Sequence, residues 1–315
     1  MGAQVRVLRR RIRSVQSTKK ITKAMELIAA SRIVKAQHRV AAATPYTAEL
    51  TKVLTALSGN ATVDHPLLTP RETVRRAGVV VITSDRGLAG AYNANVLRAA
   101  EQLMDRLAAR QIDSELFVVG RKGANYYRFR GRGLAAGWSG FSEQPSYADA
   151  QRISQTLVPS FLAGSHRSVD KTARNADGGV SVGVDELHLV YTHFRNMLNQ
   201  EPVTYRCAPM EIPADAQPDP AQLRAAYEFE PGASALLDSL LPNYVTAVVH
   251  SALLESAASE SAARRRAMKA ATDNAQDLIR SLTREANQAR QADITQEISE
   301  IVGGADALAA TGSDE

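Results

Sequence analysis

The feature that most restricts the fold of this chain is a run without glycine or proline from Asn243 to Val302. A continuous helix of that length would measure roughly 90 Å at about 1.5 Å per residue. A protein of 34.0 kDa cannot bury such a helix in a globule, so we expect it to protrude or to pair. We predict a C-terminal coiled-coil helix over 233–304, with Pro242 near its first turn and Gly303-Gly304 as its C-cap.

A second long helical pattern lies at the N-terminus. No glycine or proline occurs from Ala3 to Thr44, and apolar residues recur at alternating spacings of three and four from Val5 to Leu57. Such a seam lets two helices supercoil. We therefore predict a coiled-coil helix over 1–60 that continues, bent, past Pro45.

This seam has one interruption. Polar residues occupy three successive seam positions, which are Lys19, Thr22 and Glu26. Beside them, the apolar residues move to another face of the helix, at Ile21, Met25 and Ile28. A change of face in the middle of a helix indicates contact with something other than the partner helix.

Glycine and proline return in the middle of the chain, where strand and helix patterns alternate. We predict strands at 77–83, 115–119, 186–192 and 203–212, and helices at 92–110, near Asn125 and at 147–162. Strand–helix–strand order favours parallel crossover connections. We assign a globular domain to 77–230, a polar loop to 164–183 and a flexible tail to 305–315.

These patterns together predict the fold class. It is α/β with long helices, in which the N- and C-terminal helices form an antiparallel coiled coil on a Rossmann-like α/β domain.

Charge is distributed unevenly. Residues 1–40 carry eleven lysines and arginines against one glutamate, whereas residues 293–315 carry six acidic residues and no basic one. A basic helix can bind nucleic acid, but no recognition module follows it. An acidic protein surface is therefore the favoured partner.

The residue types argue against several classes of protein. The single cysteine, Cys207, excludes an internal disulfide and a cysteine-ligated zinc cage. No apolar run approaches the ~20 residues of a membrane span, and the N-terminus lacks a secretory signal. The six histidines lack a metal-ligand spacing, and we expect no metal, no cofactor and no catalytic nucleophile.

One turn could carry chemistry. Glycine-bearing turns between a strand and a helix bind phosphates in α/β folds, and such a turn lies at 84–93. Its glycines do not fit a dinucleotide or nucleotide fingerprint, and we favour a structural turn built on Asp85, Arg86, Gly87 and Gly90. A nucleotide-binding enzyme and a nucleic-acid-binding coiled coil stay open as alternatives. ATP binding by the isolated chain or salt-sensitive DNA binding would distinguish them.

Four motifs in order along the chain resemble those of a known family. They are KITKAME at 20–26, SDRGL at 84–88, AMKAATDN at 267–274 and ITQEISEIVGGADA at 294–307. With them, the chain resembles the γ subunit of bacterial F-type ATP synthases nearly end to end. The segment 164–183 looks longer than the usual connection of that family, and the paired cysteines of its redox-regulated members are absent.

The resemblance implies a non-catalytic rotor present as a single copy in the complex. It implies α and β subunits around the coiled coil, an ε subunit and a membrane c-ring at the globular base, and a peripheral location on the cytoplasmic face of the cell membrane. It also implies contact residues for the ring of α and β subunits, namely Lys20, Lys23, Met25, Arg264, Arg290, Gln291, Thr295, Glu297 and Glu300.

Overall fold

A computed structural model describes residues 2–60, 68–165, 183–210 and 233–311. Its elements in chain order are α1 (Gly2–Asn60), β1 (Arg76–Ile82), α2 (Tyr92–Ala109), β2 (Asp113–Val119), α3 (Arg121–Phe129), β3 (Ala136–Trp138), α4 (Tyr147–Ala163), β4 (Glu186–Phe194), β5 (Gln200–Ala208) and α5 (Ala233–Thr311).

The two terminal helices are long, as predicted. The first, α1, continues through Pro45 as expected. The last, α5, begins at Ala233 and has Pro242 well inside it, so the expected place of Pro242 near its first turn is wrong. It also runs through Gly303 and Gly304, which do not end it. A helical glycine costs only about 1 kcal/mol, and the alanine-rich sequence that follows favours helix.

The strands form one mixed sheet in the order β3-β2-β1-β4-β5. Strands β1, β2, β3 and β4 pair in parallel, and β5 pairs antiparallel with β4. The parallel crossover arrangement predicted from the strand–helix alternation is therefore confirmed. The short β3 was not predicted, since three residues are too few for a periodic signal.

Helices cover both faces of this sheet. Val79 and Val81 pack in a cluster with α2 and α3, whereas Val80 and Ile82 pack in a cluster with α4, α5 and the C-terminal part of α1. Alternate residues of a strand point to opposite faces. A strand buried on both faces must be continuously apolar, which explains the sequence of β1.

The chain divides into two compact units. The helical unit contains α1 up to Ile28 and α5 from Arg265 onward, and the sheet unit contains residues 29–264. Each unit therefore includes part of both terminal helices. The predicted loop at 164–183 lies outside the described residues except at its ends, as do the residues of the predicted tail beyond 311.

A buried carboxylate joins three chain segments at the amino ends of β1 and β4. Asp185 accepts hydrogen bonds from the backbone amides of Arg75 (2.9 Å), Arg76 (3.1 Å) and Ser165 (3.0 Å). The Arg71 guanidinium adds a fourth at 3.1 Å. The side chain of Asp185 is 0% exposed. This carboxylate therefore holds together the residues that border the segment 166–182.

Candidate partner-binding surface

In the helical unit, α1 and α5 pack against each other in antiparallel directions. Leu8 lies in one apolar cluster with Leu282 and Ala286. Further along α1, Thr22 meets Thr272. Residue numbers therefore fall along α5 as they rise along α1, which confirms the antiparallel coiled coil.

The interrupted part of the seam stays in contact with α5. Lys19 donates to the Gln276 side chain, and the Thr22 and Thr272 hydroxyls lie 2.8 Å apart. Both threonines are buried. The seam thus keeps its face here and exchanges apolar contacts for hydrogen bonds, which are directional and fix the register of the pair.

The other face of α1 at this level is apolar and exposed. Ile21 and Ile28 are exposed, and Met25 is half-buried. A different face of α1 at the same level borders an open groove of about 610 Å³, lined by Lys20, Lys23 and the exposed Leu27 among other residues. Both lysines are exposed, and Lys23 pairs with Glu26 at 3.1 Å. A surface that combines apolar side chains and cations suits an acidic, partly apolar partner.

The described end of α5 is the most exposed part of the helical unit. Ile294, Ile298, Ile301 and Val302 are all exposed, and Ile301 reaches 72%. Among them stand the exposed residues of the predicted contact set, which are Arg290, Gln291, Thr295, Glu297 and Glu300. Their exposure means that no described residue of this unit covers them.

Arg264 is placed differently from the other predicted contact residues. It belongs to the sheet unit and is only 5% exposed. Its Nη2 donates to Glu260 at 2.6 Å, and its Nη1 lies 3.3 Å from Glu143. Burial raises the pKa of Glu260, while the Arg264 charge opposes that shift. Carboxylates of its own chain thus engage this guanidinium, which presents little surface to a partner.

The turn after β1 is held by its own side chains. The Asp85 carboxylate accepts backbone hydrogen bonds from Gly140 (2.7 Å), Ser142 (3.1 Å) and Arg121 (3.2 Å). These amides belong to the first residue of α3 and to the segment before α4, so the carboxylate ties the turn to both. This geometry supports the structural interpretation of the turn. In that turn Arg86 is exposed and Gly90 has a φ of 56°.

The histidines in the described part of the chain do not assemble into a metal site. His188 contacts Glu186 at 2.9 Å, and His193 contacts Glu255 at 2.5 Å. Among the residues that the structure describes, no group of three or more potential metal ligands comes together.

Sequence reasoning missed the residues around Arg264. Arg32, Glu143 and Glu260 stand far apart along the chain, and the fold brings them together. Only the spacing of four between Glu260 and Arg264 gave a local signal for an ion pair on one helix.

These features define a class of protein. An α/β sheet is combined with an antiparallel coiled coil of the chain's two ends, and the exposed residues predicted as functional suit contacts with other proteins. Such a protein acts through its partners.

Comparison with known proteins identifies the family. The family described as ATP synthase matches residues 4–308. The ATP synthase gamma chain of Salinispora arenicola is 58% identical over 314 residues and is covered fully, as is this chain. That of Saccharopolyspora erythraea is 57% identical over 314 residues, covering 99% of this chain and 100% of the relative. In a solved rotary state of the Euglena gracilis mitochondrial ATP synthase, one chain matches with a TM-score of 0.66 at 16% identity, covering 100% of this chain and 97% of that one.

The chain belongs to the ATP synthase γ chain family. The resemblance stated from the four motifs is therefore confirmed, and with it the central-stalk role of a non-catalytic subunit of a membrane-bound complex. None of the described helices has an apolar stretch long enough to traverse a bilayer.

Proposed function

We propose that this chain is the single rotor shaft of its complex and carries c-ring rotation to the catalytic β subunits. Its partners are the α and β subunits around the coiled coil, together with the ε subunit and the c-ring. The complex makes ATP from ADP and phosphate at the cytoplasmic face of the cell membrane. The chain itself forms no bond to ATP, and it also regulates proton flow through the complex.

The observation that carries this proposal is the exposed end of α5. Four large aliphatic side chains stand exposed within about two turns, between acidic residues. Burying one such side chain contributes about 1.5–3 kcal/mol. Exposed apolar clusters of this kind mark protein–protein contacts. These side chains suit an apolar contact surface formed by the ring of α and β subunits.

The mechanism requires contacts that differ between the states of a catalytic site. A contact shifts an equilibrium only through its differential free energy. Moving a β site from mostly open to mostly closed takes about 5.5 kcal/mol. A few apolar or charged contacts, made in one state and lost in the other, supply an energy of that order.

The predicted contact residues form two sets in this proposal. Lys20 and Lys23 present cations at the groove, and Met25 adds an apolar side chain on another face of α1. This combination suits an acidic lever of β. Arg290, Gln291, Thr295, Glu297 and Glu300 form the second set, along the exposed end of α5. Arg264 is left out of the contacts because its guanidinium is buried among its own carboxylates.

The test is recovery of the partners with a tagged full-length chain. The tagged chain is coexpressed with α, β and ε, and the recovered subunits are quantified after affinity and size-exclusion steps. We expect stoichiometric α, β and ε with the unaltered chain, and reduced α and β with Ile298→Asp, which places a charge in the apolar cluster.

The matched control is Phe129→Asp. Phe129 is an exposed apolar side chain of the sheet unit, at 93%, and its substitution should leave α and β recovery unchanged. Recovery of α and β at the unaltered level with Ile298→Asp, together with normal ATP-driven proton pumping, would contradict the assigned role of the α5 end.

A further inference from the structure

One carboxylate in the sheet unit contacts guanidinium groups from three separate elements. Glu143 lies between β3 and α4. Its Oε2 meets Nη1 of Arg32 on α1 and lies 3.8 Å from Nη1 of Arg86 in the turn after β1. Its Oε1 lies 3.3 Å from Nη1 of Arg264 on α5. The carboxylate therefore connects both terminal helices to the sheet.

A second carboxylate completes this network. Glu260, which is 1% exposed, accepts from Arg264 Nη2 at 2.6 Å. The same guanidinium reaches the carbonyl oxygen of Gly87, in the turn after β1, at 3.4 Å. Arg264 is thus held from three directions, and rotating α5 about its own axis would pull it away from at least one of them.

The packing around this network explains why charges are used here. Ser256 to Ala263 of α5 are alanine and serine apart from Glu260, and all are buried. Small side chains allow close approach, but they interlock little, so they resist sliding and rotation weakly. Ion pairs with fixed fork geometry are directional. Buried ionic groups can therefore set the register where apolar packing does not.

We infer that Glu143 clamps α1 and α5 to the turn after β1, so that the sheet and the helices of this unit turn together under torque. The inference rests on the proposed function, since only a rotor carries torque. Glu143 contacts no nucleotide in this scheme and acts as a positioning residue. Within the sheet unit, the clamp makes α1 and α5 resist rotation relative to the sheet.

The experiment measures torsional stiffness in the assembled complex. The ring is immobilised, and an optical probe is attached to the sheet unit through Phe129→Cys, because the natural Cys207 is buried. Angular fluctuations are recorded during the pause before ATP binds. Their variance is inversely proportional to stiffness, and we expect Glu143→Gln to increase it. A merely structural role would lower thermal stability and leave the variance unchanged.

The matched control is Glu201→Gln, which removes an exposed carboxylate that pairs with Arg195 at 3.1 Å in the same unit. It should leave the variance unchanged. If Glu143→Gln does not assemble, Arg86→Gln removes the most exposed partner and is measured instead. Unaltered variance in the measured variant, with rotation intact, overturns the clamp. Absence of rotation in the unaltered complex would instead overturn the proposed function.

Discussion

Replacing Asp185 should destabilise the sheet unit more than almost any other polar substitution. In Asp185→Ala, the amides of Arg75, Arg76 and Ser165 lose their acceptor, and Arg71 loses its counter-charge. Removing one partner of a buried charge pair costs about 3–5 kcal/mol. Because Arg71 is partly exposed and can be rehydrated, we expect the loss in the free energy of unfolding to lie at the lower end of this range, about 3 kcal/mol. Asp185→Asn keeps the shape and one acceptor oxygen, so it should lose less.

The stability that the Asp185 carboxylate contributes should decrease as the pH falls. Burial alone would raise the pKa of Asp185, but hydrogen bonds from Ser165 and from the amides of Arg75 and Arg76 hold it below its usual value. A lowered folded-state pKa contributes stability above the unfolded-state pKa of about 3.9, and this stability is lost as the pH falls through the folded pKa. The difference between the unaltered chain and Asp185→Asn should therefore be constant near neutral pH and shrink below about pH 4.

Urea unfolding of the full-length chain measures this difference. Trp138 is the chain's one tryptophan and is buried in β3, so its fluorescence reports on the sheet unit. The reasoning would be refuted if Asp185→Ala unfolded within about 1 kcal/mol of the unaltered chain at pH 7. A difference between the unaltered chain and Asp185→Asn that stays constant down to pH 3 would refute the titration argument.

Three further predictions concern other parts of the chain. Met25→Lys adds a cation to the face of α1 that carries the exposed Ile21 and Ile28, so the assembled complex should pump fewer protons per ATP hydrolysed, and normal pumping would count against this contact. Burial raises the pKa of the Cys207 thiol to about 12, so the native chain should resist thiol reagents at pH 8 and react in urea; fast native labelling would contradict this. Gly120→Ala places a Cβ 2.3 Å from the Thr83 carbonyl oxygen at a φ of +96°, so the melting temperature should fall by several degrees, and an unchanged value would show that the turn adapts.

The sequence predicted the elements better than the contacts between them. The long helices followed from an apolar period and from the absence of glycine and proline, and the buried strands followed from short aliphatic runs. The sequence shows the apolar residues moving to another face at Ile21 and Ile28, which the structure exposes. It did not show that Lys19 and Thr22 keep the seam through hydrogen bonds to Gln276 and Thr272. A polar pair between two helices cannot be recognised from one helix alone.

The candidate site was predictable to different degrees. The functional importance of the end of α5 could be anticipated only through the family motif at 294–307, which implied contact residues there. The position of Arg264 could not, since its partner Glu143 comes from a segment between β3 and α4 that has no periodic signal. Gly303 and Gly304 failed as a helix stop because glycine weakens a helix without forbidding it.

The run of α5 from Ser256 to Arg264 has a consequence for how its sequence can vary. All nine of these positions are buried, so this helix has no solvent side along two and a half turns. Mutational tolerance along a surface helix usually rises and falls every three or four residues. Here a saturation scan should find every position intolerant of larger side chains, and the usual periodicity should reappear only after Arg264, where exposed residues return.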